Sequence, residues 1–125
     1  MGQWYVVALR IKPLKGKLET LCEAIESHVR KNGYDAIRID LMKRDANAEE
    51  RLKEMLDILY PGLEVLREGG GEFSFESSFD GSYSRETAVC NAFCEMAPYL
   101  RSGSYMTVWP DSGHYTLKVR NGQVA

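Results

Sequence analysis

The chain has 125 residues, of which 44% are hydrophobic and 27% charged, a balance typical of one globular domain spanning residues 1–125. Because no apolar run approaches the roughly 18 residues of a membrane helix, and no secretion signal is recognisable, we expect a soluble cytoplasmic protein. The net charge of −2 argues against direct nucleic-acid binding, and the odd count of three cysteines predicts reduced thiols rather than disulfides.

The first predicted element is a strand over Gln3–Ile11, where apolar, β-branched and aromatic side chains alternate. One face would carry Tyr5, Val7, Leu9 and Ile11, and the other Trp4, Val6 and Ala8. Since both faces are apolar, this strand is expected at the centre of its sheet.

A helix and a second strand are predicted next. Residues 17–32 carry apolar side chains at helical spacing, and Gly33 stands where a glycine commonly ends a helix. Residues 36–42 alternate again and predict a second strand. Its core-facing side chains would be Ile37, Ile39 and Leu41.

The middle of the chain predicts a second helix and an irregular stretch that ends in a strand. The helix is capped by Asn47 or Asp45, runs to about Tyr60 and ends at the Pro-Gly pair that follows. Residues 63–66 form a possible short strand, and the glycine triplet at 69–71 is a flexible join. A strand with one aromatic face follows, carrying Phe73, Phe75 and Phe79.

The last third of the chain predicts a helix that leads into a closed β-hairpin. The helix begins near Ser82 and buries one stripe, formed by Val89, Phe93, Met96 and Leu100 with Ala88 and Ala92 beside them. Residues 105–109 and 114–119 alternate with period two around a short Pro-Asp-Ser-Gly turn.

This order of elements predicts an α+β fold of mixed α/β character, built as a two-layer sandwich. We expect a mixed sheet of about four to five strands, three helices mainly on one face, and a C-terminal β-hairpin.

The cysteines and histidines offer one possible reactive group. Cys90 and Cys94 are four residues apart on the third predicted helix, where they would share a metal if Cys22, His28 or His114 folded over them. The spacing is not a CxxC motif and no nucleophile elbow is present, so buried structural thiols are the favoured interpretation. We therefore assign no catalytic, cofactor-binding or metal-binding residue.

The glycine triplet and the isolated carboxylates have simpler explanations than ligand binding. The triplet is followed by Glu72 and a strand, rather than by the Lys-Ser/Thr and helix of a phosphate-binding loop. Asp35 and Asp40 on one side and Asp80 on the other could hold a metal or perform acid/base chemistry. Asp80 precedes a predicted helix, however, where a capping role is favoured.

The segment from residue 64 to residue 86 is both acidic and aromatic, and its carboxylates are opposed by two arginines. It predicts a docking surface for a basic protein partner, made by Glu64, Glu68, Glu72, Glu76, Asp80, Tyr83 and Glu86. The target of such a surface would be a positively charged cleft, such as a nucleic-acid-binding groove. The alternative is a strand whose aromatic face is core and whose acidic face is simply solvated.

Two C-terminal segments carry a resemblance: APYLRSGSY at residues 97–105 and VRNGQV at residues 119–124. They resemble the C-terminal part of small uncharacterised proteins of gut Firmicutes and their phages or mobile elements. In those proteins a helix end leads into a hairpin closed by an Asn-Gly or Asp-Gly turn. The resemblance covers about the last third of the chain and transfers no catalytic residue. It implies a setting in which small accessory proteins act by binding, including as inhibitors of host defence nucleases.

The preferred hypothesis is a small non-enzymatic protein-binding module without a cofactor. It would use the stretch 64–86, and the exposed side of the final hairpin, to occupy a basic surface on another protein. Two alternatives stay open. One is a ligand- or metal-binding, enzyme-like domain that uses Cys90, Cys94 and His114. The other is a homo-oligomeric structural protein whose edge strand pairs into a homodimer.

Overall fold

The computed structural model describes residues 3–34, 36–42, 46–81 and 83–125, apart from the side chains of Gln3 and Tyr83. Its elements, in chain order, are β1 (Gln3–Ile11), α1 (Leu18–Lys31), α2 (Ile37–Asp40), α3 (Ala48–Leu59), β2 (Glu64–Gly69), β3 (Glu72–Gly81), α4 (Tyr83–Met96), a 3₁₀ turn (Ala97–Tyr99), β4 (Tyr105–Trp109), β5 (Tyr115–Arg120) and β6 (Gln123–Val124). In this part of the chain, no helix has the length and apolar character needed to cross a bilayer.

The strands form one sheet in the order β2-β3-β1-β4-β5-β6. β1 lies between β3 and β4, which confirms its predicted central position. The α+β class, the helical layer and the C-terminal hairpin are also confirmed. Three details differ from the expectation: the sheet has six strands, each pair of neighbours is antiparallel rather than mixed, and the described residues form four α-helices rather than three.

The core lies between one face of the sheet and the helices. β1 contributes four fully or almost fully buried side chains, Tyr5, Val7, Leu9 and Ile11. The helices cover them with apolar stripes that include Leu21, Ile25, Leu52, Leu56, Val89 and Phe93. Because β1 alternates, its other side chains project to the opposite face of the sheet, where Trp4 is 56% exposed.

The predicted strand at residues 36–42 is wrong, because this segment forms the single-turn helix α2. Both edges of β1 are already occupied by β3 and β4, so a strand here would have no place beside the central strand. Arg38 instead reaches from α2 to α3, where it binds Glu54 at 2.7 Å and Asp57 at 2.8 Å. The loss of this strand also removes a crossover connection, which leaves the sheet antiparallel.

The other predicted helices are found close to their expected bounds. α1 ends before Gly33, whose φ of +73° is the left-handed conformation expected after a helix. Asn47 caps α3 by accepting a hydrogen bond from the backbone N–H of Glu50 at 2.9 Å, whereas Asp45 lies outside the described residues. α4 begins at Tyr83, and Ser82, the residue predicted to start it, is likewise outside them.

The irregular stretch after α3 forms a β-hairpin. β2 contains most of the segment predicted as a possible short strand, and the glycine triplet closes the turn into β3. The pairing of β2 with β3 shifts between Val65 and Arg67, which marks a β-bulge. All residues of β2 are exposed, because this strand forms one edge of the sheet.

Candidate functional site

The face of the sheet opposite the helices, called here the open face, is built by alternate residues of several strands. In an antiparallel sheet, residues directly opposite one another share a face. On β1 the face carries Trp4, Val6, Ala8 and Arg10, which lie opposite Asp80, Ser78, Glu76 and Ser74 of β3. On β4 it carries Trp109, Thr107 and Tyr105, opposite Val6, Ala8 and Arg10. The open face therefore joins strands that are distant in sequence.

The two tryptophans of the chain both lie on the open face, on the neighbouring strands β1 and β4. Trp4 is 56% exposed and Trp109 is 40% exposed. Val6 is opposite Trp109, and Trp4 is the adjacent same-face position of β1, so the two tryptophans occupy diagonal positions on neighbouring strands. The ring of His114 lies 6.1 Å from that of Trp109. Trp4, Trp109 and His114 thus form an aromatic patch that the rest of the described chain leaves exposed.

Three carboxylates line the open face beside this patch, and we call Glu64, Glu76 and Asp80 the acidic row. Glu64 of β2 lies directly opposite Glu76 of β3, and Asp80 lies farther along β3 on the same face, opposite Trp4. Within the described residues, none of the three forms an ion pair. Like charges in directly opposite positions destabilise a sheet. The pair of Glu64 and Glu76 in the acidic row is therefore a feature that folding alone does not favour.

Glu72 lies on the open face as well, but its charge is compensated inside the molecule. Arg10 donates a hydrogen bond to Glu72 at 2.8 Å, and the cationic groups of Lys12 and Arg101 lie 3.8 and 3.7 Å from its carboxylate. The hydrogen bond from Arg10 is the main reason why the pKa of Glu72 is lowered from its ordinary value. Glu72 thus serves to tie β3 to β1 and to the segment before β4.

The remaining members of the predicted docking surface lie elsewhere. Glu68 lies opposite the buried Phe73, on the helical side of the sheet, and forms an ion pair with Lys53 of α3. Glu86 belongs to α4 and accepts a hydrogen bond from the hydroxyl of Tyr115 at 2.5 Å. Tyr83 starts α4, and its side chain is outside the described part. The structure thus brings together Glu64, Glu72, Glu76 and Asp80, and separates Glu68 and Glu86 from them.

The aromatic half of the predicted surface is core, as the alternative interpretation of this segment held. Phe73, Phe75 and Phe79 are at most 5% exposed and pack beneath the helices. The exposed aromatic residues of the open face, Trp4 and Trp109, come from β1 and β4, and sequence reasoning did not single them out. The period-two pattern of the hairpin was the available signal, since it places Trp109 on the face opposite its buried neighbours.

The alternative site built on Cys90, Cys94 and His114 is not assembled. Cys90 lies on the helical side, with its sulfur 3.5 Å from the hydroxyl of Tyr115, and burial raises its pKa. A raised pKa disfavours the thiolate, which is the nucleophilic form. Cys94 is exposed on α4, whereas His114 contacts Trp109 on the open face, so the sheet separates the histidine from Cys90.

The other candidate ligands are also dispersed. Cys22 is buried, donates to the backbone carbonyl of Ala48 at 3.4 Å, and has a pKa raised by burial to about 11. No group of three or more His, Cys, Asp and Glu side chains within the described residues is placed to hold a metal ion. These observations assign the buried thiol of Cys22 a packing role.

The isolated carboxylates are likewise placed apart from one another. Asp40 pairs with Arg30 at 2.7 Å, and Asp35 lies outside the described residues. The capping role predicted for Asp80 is wrong, because this residue belongs to β3 and lies three positions before Tyr83, where α4 begins. The chain continues in strand geometry through Gly81, so the Asp80 carboxylate stays with the sheet.

A concavity of about 740 Å³ lies between α2, α3 and β2. Its charged groups are largely paired with one another, since Arg38 binds two carboxylates of α3 and Lys53 binds Glu68. Because these polar groups are already satisfied within the protein, the concavity is a weaker candidate for a binding site than the open face.

Known proteins add no further information about this arrangement. Comparison of the chain with models of protein families, with curated proteins and with solved structures finds no match. The resemblance of the C-terminal segments therefore stays a prediction. The candidate site rests on its own geometry: an exposed tryptophan pair flanked by three carboxylates that have no ion-pair partner in the described part of the chain.

Proposed function

We propose that this chain is a non-enzymatic protein-binding module that uses its open face to occupy a basic surface of a partner protein. One observation carries the proposal: Trp4 and Trp109 are exposed on the same face as the acidic row of Glu64, Glu76 and Asp80. The side of the C-terminal hairpin that carries Thr116 and Lys118 of β5 extends the open face beyond β4.

The tryptophan pair supports a protein partner. Tryptophan is among the residues that contribute most to binding energy in protein interfaces, because it buries a large area at little cost in side-chain entropy. Trp4 and Trp109 add little to the core, since about half of each side chain faces solvent. Their burial would be completed by a partner that covers the middle of the sheet.

The acidic row supports a basic partner. Glu64 and Glu76 repel one another across neighbouring strands, and a cationic partner would relieve this repulsion on binding. Exposed carboxylates also accelerate association with a positive surface through long-range attraction. A nucleic-acid backbone would meet repulsion at the same place, so a protein is the favoured ligand.

A nucleic-acid-binding groove on another protein is the partner surface that fits these features in the most specific way. Such a groove is lined by cations that normally contact phosphates, and a face with fixed carboxylates would compete for them. This finer proposal agrees with the setting implied by the C-terminal resemblance, in which small proteins inhibit host defence nucleases.

The test is affinity capture with matched variants. The tagged chain serves as bait in a bacterial lysate, with and without nuclease treatment, and captured proteins are determined by mass spectrometry. Two double variants then probe the site: Trp4→Ala with Trp109→Ala, and Glu76→Lys with Asp80→Lys. The control, Glu23→Lys with Glu95→Lys, makes the same change in net charge at exposed positions of α1 and α4.

We expect a captured protein that survives nuclease treatment, is released by salt, and is lost with both open-face variants but kept by the control. A protein captured equally well by all variants would place the interface elsewhere and contradict the proposal. Loss of capture after nuclease treatment would show that nucleic acid bridges the two proteins, which also contradicts it.

A further inference from the structure

The two ends of the acidic stripe on β3 differ in how their charge is compensated. At one end, Arg10 places its guanidinium 2.8 Å from the carboxylate of Glu72, on the open face. At the other end, Glu76 and Asp80 form no ion pair within the described part of the chain. The same strand therefore shows an arginine–carboxylate contact at one end and carboxylates without such a contact at the other.

The uncompensated end is also where an aromatic ring is exposed. Trp4 lies directly opposite Asp80 in the register of β1 and β3, so their Cβ atoms are about 5 Å apart on the same face. Ser78 lies between Asp80 and Glu76 on that face, opposite the partly buried Val6. Because the side chains of Ser78 and Val6 are short, the surface next to Trp4 is shallow and the larger indole projects above it.

We propose that Trp4 and Asp80 form a recognition site for an arginine side chain of the partner protein, with Glu76 as a further uncompensated carboxylate on the same strand and face. This inference rests on the proposed function, and it specifies which chemical group of the partner is bound and where. The guanidinium would stack on the indole of Trp4 and direct its N–H groups toward the carboxylate of Asp80.

The chemistry of the site favours arginine over lysine. A guanidinium is planar, stacks on aromatic rings and donates paired hydrogen bonds to a carboxylate, whereas an ammonium is a strongly hydrated point charge. The contact between Arg10 and Glu72 is an example, within the protein, of a guanidinium held at this face. An indole next to a carboxylate allows a guanidinium to stack on the ring and to donate hydrogen bonds to the carboxylate at the same time.

The test is a titration that needs no knowledge of the natural partner. The probe is an N-acetylated, C-amidated tri-arginine peptide, and the matched probes are the tri-lysine peptide and the uncharged tri-citrulline peptide. Binding is followed by tryptophan fluorescence in the Trp109→Phe variant, so that the signal comes from Trp4. The variants are Trp4→Leu, followed by calorimetry, and Asp80→Asn, with Glu23→Gln of α1 as the control.

We expect tri-arginine to bind several-fold more tightly than tri-lysine, and tri-citrulline not to bind. Asp80→Asn and Trp4→Leu should each weaken tri-arginine binding by about fivefold, while Glu23→Gln leaves it unchanged. Circular dichroism of each variant verifies that the fold is retained.

Equal affinity for the arginine and lysine peptides, or affinity insensitive to Trp4→Leu and Asp80→Asn, would overturn the assignment and indicate attraction by overall charge. The two proposals fail in different ways. If a partner is captured through the open face but the peptide titration fails, the protein-binding function stands and the arginine site is wrong. If the peptide binds as expected but a protein is captured equally well by the wild type and by both open-face variants, the arginine site stands and the proposed function is wrong.

Discussion

At the scale of single residues, His28 is the side chain that most directly connects folding with pH. The residue is 8% exposed in α1, with the amide nitrogen of Asn32 at 3.3 Å from Nδ1 and the ring of Tyr34 at 6.1 Å from the imidazole ring. Burial lowers the pKa of His28 below its ordinary value of 6.5, Lys31 lowers it further, and Glu95 partly opposes both effects. Folding therefore favours the neutral imidazole.

The sign of the resulting pH dependence follows from this lowered pKa. As the pH falls through about 6.5, the unfolded chain takes up a proton at this position before the folded chain does, so acid favours unfolding. We expect the free energy of unfolding of the wild type to fall between about pH 7 and pH 5, and the His28→Gln variant to lose this part of the decrease. Urea unfolding at a series of pH values measures it.

The control for this prediction is His114→Gln, because His114 is the other histidine of the chain and is exposed on the open face. The control should keep the pH dependence of the wild type. If His28→Gln and the wild type lost stability in parallel between these pH values, the buried histidine would not be the group responsible.

At the scale of elements, Tyr60 connects α3 with α4, two of the helices that cover the sheet. It follows α3 directly, is fully buried, and donates a hydrogen bond to the backbone carbonyl of Val89 in α4 at 3.1 Å. Because an unmade hydrogen bond between buried groups is costly, this contact fixes the position of α4 against α3 as well as filling the core.

We predict that Tyr60→Phe lowers the free energy of unfolding by about 1 kcal/mol, since it removes one buried hydrogen bond and keeps the aromatic packing. Guanidinium chloride unfolding of the variant measures the change. Tyr99→Phe is the matched control, because its hydroxyl has no hydrogen-bond partner within the described residues. A change equal to that of the control would contradict a structural role for the Tyr60 hydroxyl.

The elements that sequence reasoning predicted well are those whose pattern has one physical explanation. The helix α1 has apolar spacing, a length of several turns and a glycine after its end, and these signals agree. Residues 36–42 form too short a segment for periodicity to distinguish a strand from a helix. A single helical turn gives a similar pattern, because it exposes Ile37 and Leu41 while Ile39 packs inward. The ion pairs of Arg38 with α3 are tertiary contacts of this helical turn, and the local pattern of residues 36–42 does not contain them.

The candidate site was predictable only in part, for a similar reason. Alternation along β3 indicates which carboxylates share a face, and Glu72, Glu76 and Asp80 do share one. Which of them is neutralised depends on the partner strand, because Arg10 reaches Glu72 only in the register of β1 with β3. The exposure of Trp4 depends equally on the helices lying on the other face of the sheet.

At the scale of the whole molecule, one antiparallel sheet with its helices on one side leaves the opposite face to solvent. β2 forms one edge of this sheet, and it carries the exposed apolar residues Val65 and Leu66. A bulge and charged neighbours are features that keep an edge strand from pairing with another chain. The predicted edge-paired homodimer stays a prediction, and it has to be separated from any self-association through the open face.

Tryptophan emission separates these possibilities, because Trp4 and Trp109 are the chain's two tryptophans and both belong to the open face. We predict that the emission maximum of the free protein moves little on unfolding in guanidinium chloride, although circular dichroism shows full loss of structure.

A homodimer formed through β2 would double the mass in light scattering without changing the emission, since that edge lies two strands away from Trp4. A shift to shorter wavelength that grows with protein concentration would instead mean that a second copy covers the open face. That result would contradict the assignment of this face to a basic partner, because a surface buried between two copies is not available to a different protein. The single-tryptophan variants Trp4→Phe and Trp109→Phe then show which end of the face is covered.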